Sequence, residues 1–269
     1  MNYFDAWVRT DHARLFDAWS RVPIFVLQDR VERCNEVQML RKVLESRNGA
    51  GSLLEIGCAT GEFYRYLASR FPKLSYVGCD ISEVALQRAR EKFGDGTRFL
   101  LTDPDLEAVS QLNPDILFCR DVILHQPRPF EFLRKLYSIA RHALVLRVRT
   151  RDVGATEVDP DKSCQLNYGV WAPYMVLNCG ELIENIRQMK PHPRRIHIAK
   201  HYMVLGGLNS RYLPKDCYIA ETGTAESGLL IEKGGEADRL DVLEENRPER
   251  LRPGLLYRAI GWAARRLPG

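Results

Sequence analysis

The chain has 269 residues, of which 45% are hydrophobic and 28% charged, as in ordinary soluble globular proteins. It contains no apolar run of about 18 residues and no secretory hydrophobic region at its N-terminus, which argues against a membrane-spanning helix and predicts a cytoplasmic protein. The net charge of +4 is uneven: residues 247–269 carry +5, so residues 1–246 carry −1 and show no nucleic-acid-binding footprint.

The first elements are helical. Residues 1–48 predict an N-terminal helical cover, in which 35–46 shows a helical stripe of apolar residues that ends at the glycine-containing break 48–51. Short apolar strands then alternate with helices, and Ser82 is placed to cap one of them. The predicted strands are 52–57, 74–80, 97–103, 115–121 and 142–150, and the predicted helices are 61–71, 82–93 and 129–141.

This alternation predicts an α/β fold with a doubly wound, mostly parallel sheet. Residues 151–177 are too long for an ordinary connection, and their three aromatic residues argue against disorder. A helix near 179–190 and antiparallel strands within 194–205 and 217–234 follow. We therefore expect a main domain over 49–233 with 151–177 as an insertion, and a last part, 234–269, made of a charged linker and a basic amphipathic helix.

The turn after the first strand, LLEIGCATGEF, places small residues where a ligand approaches the backbone. A dinucleotide fold prefers Gly-x-Gly-x-x-Gly, but the corresponding positions here are Gly57, Ala59 and Glu62. Glu62 and Glu55 would repel a pyrophosphate, so a nicotinamide or flavin dinucleotide fits poorly. A cationic or zwitterionic cofactor fits this turn better.

The run from Glu55 to Gly61 resembles the first motif of the class I S-adenosylmethionine-dependent methyltransferases, with Ala59 at a commonly glycine position. Asp80 in YVGCDIS and Asp103 in FLLTDPDL match the acids that follow the second and third strands in that family. The resemblance implies a seven-stranded sheet with an antiparallel late strand, the cofactor S-adenosyl-L-methionine and methyl transfer as the reaction. It also implies that Asp80 meets the ribose hydroxyls and Asp103 the adenine amino group.

The cofactor-binding residues implied by this resemblance lie at the carboxyl ends of the first four strands. They are Glu55, Gly57, Cys58, Ala59, Gly61, Asp80, Ile81, Thr102, Asp103 and Arg120. An unrelated sheet could use Asp80 as a helix cap and Asp103 as a turn residue, but their combination with Glu55 favours a binding site. The seven cysteines are odd in number and contain no Cys-x-x-Cys pair, and no His/Asp/Glu cluster has metal-ligand spacing, so no metal is predicted.

His125, after the fourth strand, is the candidate general base for an acceptor that must lose a proton. A purely structural role for His125 stays open. Asp121 is placed to orient a substrate or to pair with Arg120. Methyl transfer itself needs mostly proximity and orientation, because the cofactor is already activated.

The aromatic residues of the insertion, Tyr168, Trp171 and Tyr174, are candidate substrate-binding residues, with a small core under a long loop as the alternative. Three aromatic residues near the N-terminus, Tyr3, Phe4 and Trp7, are placed to cover the cofactor in the same way. The sequence lacks the motifs of nucleic-acid base methylation. We therefore expect a small-molecule, glycan or lipid-linked acceptor, with O-methylation as the favoured reaction.

The basic segment 250–267 has the pattern of an amphipathic helix that lies on an anionic membrane surface, at the inner face of a membrane in this interpretation. The alternative is a helix that packs on the body or on a partner subunit. A different class of function also stays open, namely a non-catalytic binding or scaffold protein on a methyltransferase fold, tethered by this segment. The oligomeric state cannot be read from the sequence.

Overall fold

A computed structural model describes residues 3–8, 22–94, 98–219, 221, 223–236 and 239–248. The basic segment 250–267 lies outside the described residues. The helices are α1 (Asp5–Val8), α2 (Ile24–Val31), α3 (Asn35–Glu45), α4 (Glu62–Arg70), α5 (Glu83–Phe93), α6 (Pro129–Ile139) and α7 (Cys179–Arg187).

The strands alternate with these helices through the first 151 residues and then become more frequent. They are β1 (Gly51–Ile56), β2 (Leu74–Asp80), β3 (Phe99–Leu101), β4 (Ile116–Arg120), β5 (Ala143–Arg151), β6 (Cys164–Asn167), β7 (Val170–Pro173), β8 (Leu177–Asn178), β9 (Pro193–Tyr202), β10 (Arg211–Tyr212), β11 (Ala225–Lys233) and β12 (Asp241–Asn246).

The main sheet has the strand order β12-β9-β11-β5-β4-β1-β2-β3, with β8 paired to the end of β5, which makes nine strands in the described part of the chain. Strands β1 to β5 are parallel, and β11 runs antiparallel to both β5 and β9. The order reverses between β1 and its neighbours β4 and β2. In a doubly wound sheet this reversal opens a crevice at the carboxyl ends of the strands, where ligands bind.

The two faces of the sheet are covered by separate apolar layers. Along β1, Leu54 and Ile56 pack with residues of α6 and α7, whereas Leu53 packs with α2, α3, α4 and α5. Successive side chains of a strand point to opposite faces, so the continuous apolar runs of β1, β4 and β5 are what a sheet buried on both sides requires. The predicted α/β fold class is confirmed.

The strand count of seven was too low. Residues 241–246, expected within a charged linker, form β12 instead and extend the sheet parallel to β9. The segment DVLEEN is charged because it is an exposed edge strand, and such an edge is commonly polar. The second addition, β8, pairs through only two residues, which is too short to predict. The division of the chain into three parts stays a prediction.

The insertion 151–177 contributes to a second sheet. Strands β6 and β7 form a hairpin, and β10 from a later segment pairs with β6 to complete a three-stranded sheet in the order β10-β6-β7. The expected strand near 217 is a short 3-10 turn, Lys215–Tyr218, and the late strand begins only at Ala225. We call β10-β6-β7 the small sheet below.

Candidate active site

The turn between β1 and α4 is built from backbone conformations with positive φ. Gly57, Ala59 and Gly61 have φ values of +79°, +47° and +77°. A Cβ atom on Gly57 would lie 2.4 Å from Cγ2 of Val122, so no side chain fits there without movement. The turn therefore brings its backbone close to the end of β4, and the glycine at position 57 is required for that approach.

Asp80 ends β2 and ties this turn to the next helix. Its Oδ2 atom accepts a hydrogen bond from the Ala59 N–H at 2.9 Å, and its Oδ1 atom accepts one from the Ser82 N–H at 2.9 Å. Ser82 in turn caps α5 by accepting from the Ala85 N–H at 3.3 Å, as predicted. Asp80 thus ties the glycine turn to the start of α5.

Asp103 follows β3 and is only half satisfied. Its Oδ2 atom accepts from the Glu107 N–H at 3.1 Å, which is the turn role that the sequence allowed. Its Oδ1 atom is buried and has no hydrogen-bond partner among the described residues. A buried acceptor without a partner costs free energy, so this atom marks a place where a ligand would donate a hydrogen bond.

These groups line two adjoining cavities. The smaller, of about 90 Å³, is lined by several of the cofactor-binding residues predicted from sequence, including Ile81, Thr102 and Asp103, and by Phe4 and Trp7. The larger, of about 710 Å³, extends toward the small sheet. The residues shared by the two cavities are Trp7, Gly57, Asp80, Asp121, Val122 and His125.

Glu55, Cys58 and Arg120 line the larger cavity, and all three have hydrogen-bond partners in the protein. Oε2 of Glu55 accepts a hydrogen bond of 2.5 Å from the Tyr76 hydroxyl, and burial raises the pKa of Glu55 to about 7 although this hydrogen bond lowers it in part. Nε of Arg120 donates to Glu36 on α3 at 2.8 Å. Both side chains thus stabilise the walls of the cavity as well as facing it.

His125 lies at the junction of the two cavities, in a short 3-10 turn after β4. Its Nδ1 atom lies 2.8 Å from the Pro173 carbonyl oxygen, which can only accept, so Nδ1 carries the proton and Nε2 keeps its lone pair. No described residue hydrogen-bonds to Nε2. Burial lowers the pKa of His125 to about 4, which the Pro173 carbonyl opposes only in part, so the ring is neutral near pH 7.

The three aromatic residues of the insertion have different environments. Tyr168 lines the larger cavity from the turn between β6 and β7. Trp171 is 42% exposed and lines neither cavity, and Tyr174 is 2% exposed within a small core with Leu124. Tyr174 thus packs in a small core, Tyr168 lies at the cavity, and substrate contact by these residues stays a prediction.

A charged network behind the larger cavity was missed by the sequence interpretation. Asp121, with a positive φ of +56°, lies 2.9 Å from a terminal nitrogen of Arg149 and 3.6 Å from Nε of Arg147. Both arginines also contact Glu226 on β11. Burial alone would raise the pKa of Asp121, but Arg147 and Arg149 hold it well below its usual value. The available signal was the alternation of arginine with apolar residues in LVLRVRTR.

The central part of the chain matches a known protein family. Residues 54–142 match the model of a family described as a methyltransferase domain. These residues belong to the methyltransferase domain family. The match begins within β1 and ends just before β5, so it contains the glycine turn, Asp80 and Asp103, and it confirms the family predicted from those residues.

Curated relatives of this methyltransferase domain differ in what their names say they act on. The chain is 29% identical over 103 residues to a trans-aconitate 2-methyltransferase of Variovorax paradoxus, which is 38% of this chain and 39% of that protein. It is 31% identical over 119 residues to a tRNA (guanine-N(7)-)-methyltransferase of Chloroflexus aggregans, which is 44% of this chain and 50% of that protein. The chain thus spans half or less of the length of these relatives.

Among solved structures, the chain is similar to the N-terminal domain of EvdMO1 with SAH bound, at 15% identity and a TM-score of 0.50. The likeness covers 74% of this chain and 81% of that one. At this identity the likeness concerns the fold alone. It covers more of the chain than the family model matches.

Proposed function

We propose that the protein transfers a methyl group from S-adenosyl-L-methionine to an oxygen atom of a small-molecule acceptor. The observation that carries this proposal is the unpaired Oδ1 atom of Asp103, buried in the wall of a cavity that also contains Asp80 and the glycine turn. An adenine amino group can donate the hydrogen bond that this atom lacks.

The residues that line the smaller cavity suit the ribose and the adenine of the cofactor. Asp80 would accept from the ribose hydroxyls, and Asp103 would accept from the adenine amino group. Leu106 and Phe132 give the smaller cavity apolar walls suited to a flat base. The EvdMO1 domain, whose fold is similar, is described with SAH bound, which supports the same ligand here.

A pyrophosphate-containing cofactor is the poorer fit. Glu62 stands in the first turn of α4 and lines the larger cavity together with Glu55 and Asp80. Negative charge at a helix N-terminus competes with a bound phosphate for the same positive potential. A sulfonium cation, by contrast, is favoured by these carboxylates.

When bound, S-adenosylmethionine supplies an activated methyl group, whose carbon–sulfur bond breaks as the bond to the acceptor oxygen forms. His125 would take the proton of an acceptor hydroxyl at Nε2, because Nδ1–H is held by the Pro173 carbonyl. Its pKa of about 4 keeps this nitrogen unprotonated at neutral pH. Phe4 and Trp7 would exclude water from the cavity, since both lie over it.

The identity of the acceptor is not carried over from the relatives, because one is named for trans-aconitate and another for a tRNA guanine. The near-neutral charge of residues 1–246 favours a small molecule over a nucleic acid. Glycan and lipid-linked acceptors remain part of this proposal, as does membrane contact through 250–267. No helix among the described residues is both long and apolar enough to cross a membrane.

Calorimetric titration of the full chain with S-adenosylmethionine, S-adenosylhomocysteine and NADH tests the proposal. We expect both sulfur compounds to bind and NADH not to bind. Asp103→Asn should weaken binding by about tenfold or more, because an amide N–H would face the donor amino group. Asp105→Asn, an exposed change two residues away, should have less than about a twofold effect. A folded protein that binds neither sulfur compound would contradict the proposal and favour the scaffold alternative.

A further inference from the structure

The inner side of the small sheet forms part of the acceptor end of the site. Leu166 lies directly opposite Trp171 across the β6–β7 hairpin, and both side chains are exposed. Because side chains alternate along a strand, Gln165 and Asn167 belong to the other face. Asn167 lines the larger cavity, so this second face is the one that meets the site.

Three side chains on this face form a directed series of hydrogen bonds. Arg211 on β10 is paired with Gln165 on β6, and its Nε donates to Gln165 Oε1 at 2.8 Å. The other end of the amide, Gln165 Nε2, donates to Asn167 Oδ1 at 2.8 Å. Asn167 Nδ2 is buried and has no hydrogen-bond partner among the described residues.

This series fixes which end of each amide faces which neighbour. A guanidinium can only donate, so Gln165 must present its oxygen to Arg211 and its nitrogen to Asn167. Asn167 must then present its oxygen to Gln165, which leaves its nitrogen unpaired. The assignment follows from the chemistry of the donors and acceptors and does not depend on distinguishing oxygen from nitrogen by position alone.

Arg211 is itself held in place. Its guanidinium lies 4.4 Å from the ring centroid of Tyr174, and one terminal nitrogen donates to the Leu205 carbonyl at 3.1 Å. Tyr174 is buried, so the platform beneath Arg211 is part of a packed core. The series therefore runs from the Arg211 guanidinium, which its contacts hold in place, to the Asn167 Nδ2 donor.

We propose that Asn167 is a specificity-determining residue that donates from Nδ2 to an accepting oxygen of the acceptor substrate, of the carbonyl or carboxylate class. This inference rests on the proposed function of the same site. A buried donor left without a partner penalises an analogue that lacks the oxygen, by roughly tenfold or more in affinity. Gln165 and Arg211 act as positioning residues for Asn167.

NMR spectroscopy of the ¹⁵N-labelled full chain, saturated with S-adenosylhomocysteine, tests this inference. The Asn167 side-chain amide signal is the one that disappears in Asn167→Asp. Cyclopentanone, which only accepts hydrogen bonds, should shift this signal, and pyrrole, a ring of similar size that only donates, should not. The Asn185 amide should not respond, because its oxygen accepts from Arg134 at 3.0 Å and its nitrogen donates to the Glu181 carbonyl at 2.9 Å.

Gln165→Glu should reverse the preference of the site for cyclopentanone over pyrrole. A glutamate has no donor to offer Asn167, so the Asn167 amide should turn and present Oδ1 to the cavity. We expect the affinity ratio of cyclopentanone to pyrrole to fall by about tenfold or more. Gln188→Glu makes the same change of charge on an exposed residue at the end of α7 and should leave the ratio unchanged.

Cyclopentanecarboxylate separates the two sources of the oxygen: a stronger response than to cyclopentanone indicates a carboxylate, and a weaker one a carbonyl. Equal responses of Asn167 to cyclopentanone and pyrrole, no response to either, or an unchanged ratio in Gln165→Glu would overturn the inference. The failure of S-adenosylhomocysteine to bind would instead refute the proposed function itself, so the two failures are distinguishable.

Discussion

The two ends of the site are built in different ways. At the proposed cofactor end, the polar groups lie on the turns directly after β1, β2 and β3, and their contacts are mostly with backbone N–H groups of the adjacent turn. At the proposed acceptor end, Arg147 and Arg149 both contact Glu226 on a distant strand. Asn167 contacts Gln165, which in turn accepts from Arg211 on another distant strand. A local strand–turn–helix unit makes the first end, and long-range pairing makes the second.

Gly57→Ala is the change expected to have the largest effect, because it attacks the cofactor end. The new Cβ would lie 2.4 Å from Val122, at a φ of +79°. Strain and overpacking together should destabilise the protein by about 2–5 kcal/mol and reduce S-adenosylhomocysteine binding by about a hundredfold or more. Thermal unfolding and calorimetry measure the two effects.

Gly94→Ala is the matched control for that change. Gly94 also has a positive φ, +85°, but among the described residues beyond its chain neighbours no atom lies within 4 Å of the point that a Cβ would occupy. It should therefore lose only about 1–2 kcal/mol from backbone strain and keep its cofactor affinity. Equal losses in the two variants would show that the close approach to Val122 does not matter.

Glu226→Gln tests the acceptor end. The Glu226 carboxylate contacts both Arg147 and Arg149, whose side chains are largely buried. Removing its charge leaves buried cations undercompensated, so we expect a loss of about 3 kcal/mol in the free energy of unfolding, measured with urea. Glu232→Gln on the same strand, which breaks pairs with the exposed Arg194 and Arg195, should cost less than about 1 kcal/mol. A larger loss in Glu232→Gln than in Glu226→Gln would contradict the assignment of Glu226 to a buried charged network.

Glu55→Gln tests the environment of the buried Glu55 carboxyl group through the pH dependence of stability. The pKa of Glu55 is raised from 4.5 to about 7 in the folded protein, so the folded state binds the proton more tightly than the unfolded state. Its contribution to stability is therefore present below about pH 4.5 and is lost as the pH rises through 7, a change of up to about 3 kcal/mol.

Urea unfolding at pH 5 and pH 8 measures this change. The decline between the two pH values should be smaller in Glu55→Gln than in the unmodified protein. Glu131→Gln, an exposed change in α6, should keep the full decline. Parallel curves for Glu55→Gln and the unmodified protein would mean that Glu55 is already ionised at pH 5.

Tyr174→Phe is expected to have the smallest effect on stability. The Tyr174 hydroxyl accepts from Arg149 Nε at 3.1 Å in a buried setting, so its loss should cost about 1 kcal/mol in unfolding free energy. Tyr212→Phe removes the same atom from a residue of the small sheet that is 61% exposed, and should change stability by less than about 0.5 kcal/mol. Indistinguishable variants would place Tyr174 outside the packed core.

The same contrast explains what the sequence could predict. The alternating apolar strands and helices from 51 to 151, the Ser82 cap and the acids Asp80 and Asp103 follow from local patterns, and the structure has each of them. The spacing of apolar residues and the positions of turn-forming residues carry this information, because each strand–turn–helix unit is complete within about thirty residues.

The remaining features depend on partners that no local pattern identifies. The sequence could not show that Arg147 and Arg149 share Glu226, since that requires the antiparallel pairing of β5 with β11. Nor could it show that Asn167 faces the cavity while Trp171 faces outward, since that depends on the register of β6 with β7 and β10. The strand Asp241–Asn246 was misjudged because an exposed edge strand and a charged linker have similar compositions.

A crystal structure of the full chain with S-adenosylhomocysteine tests the central claim most directly. The account predicts the adenine amino nitrogen within about 3 Å of Asp103 Oδ1 and the ribose hydroxyls against Asp80. Adenine bound elsewhere in the crevice, with Asp103 Oδ1 still unpaired, would contradict the assignment of this site.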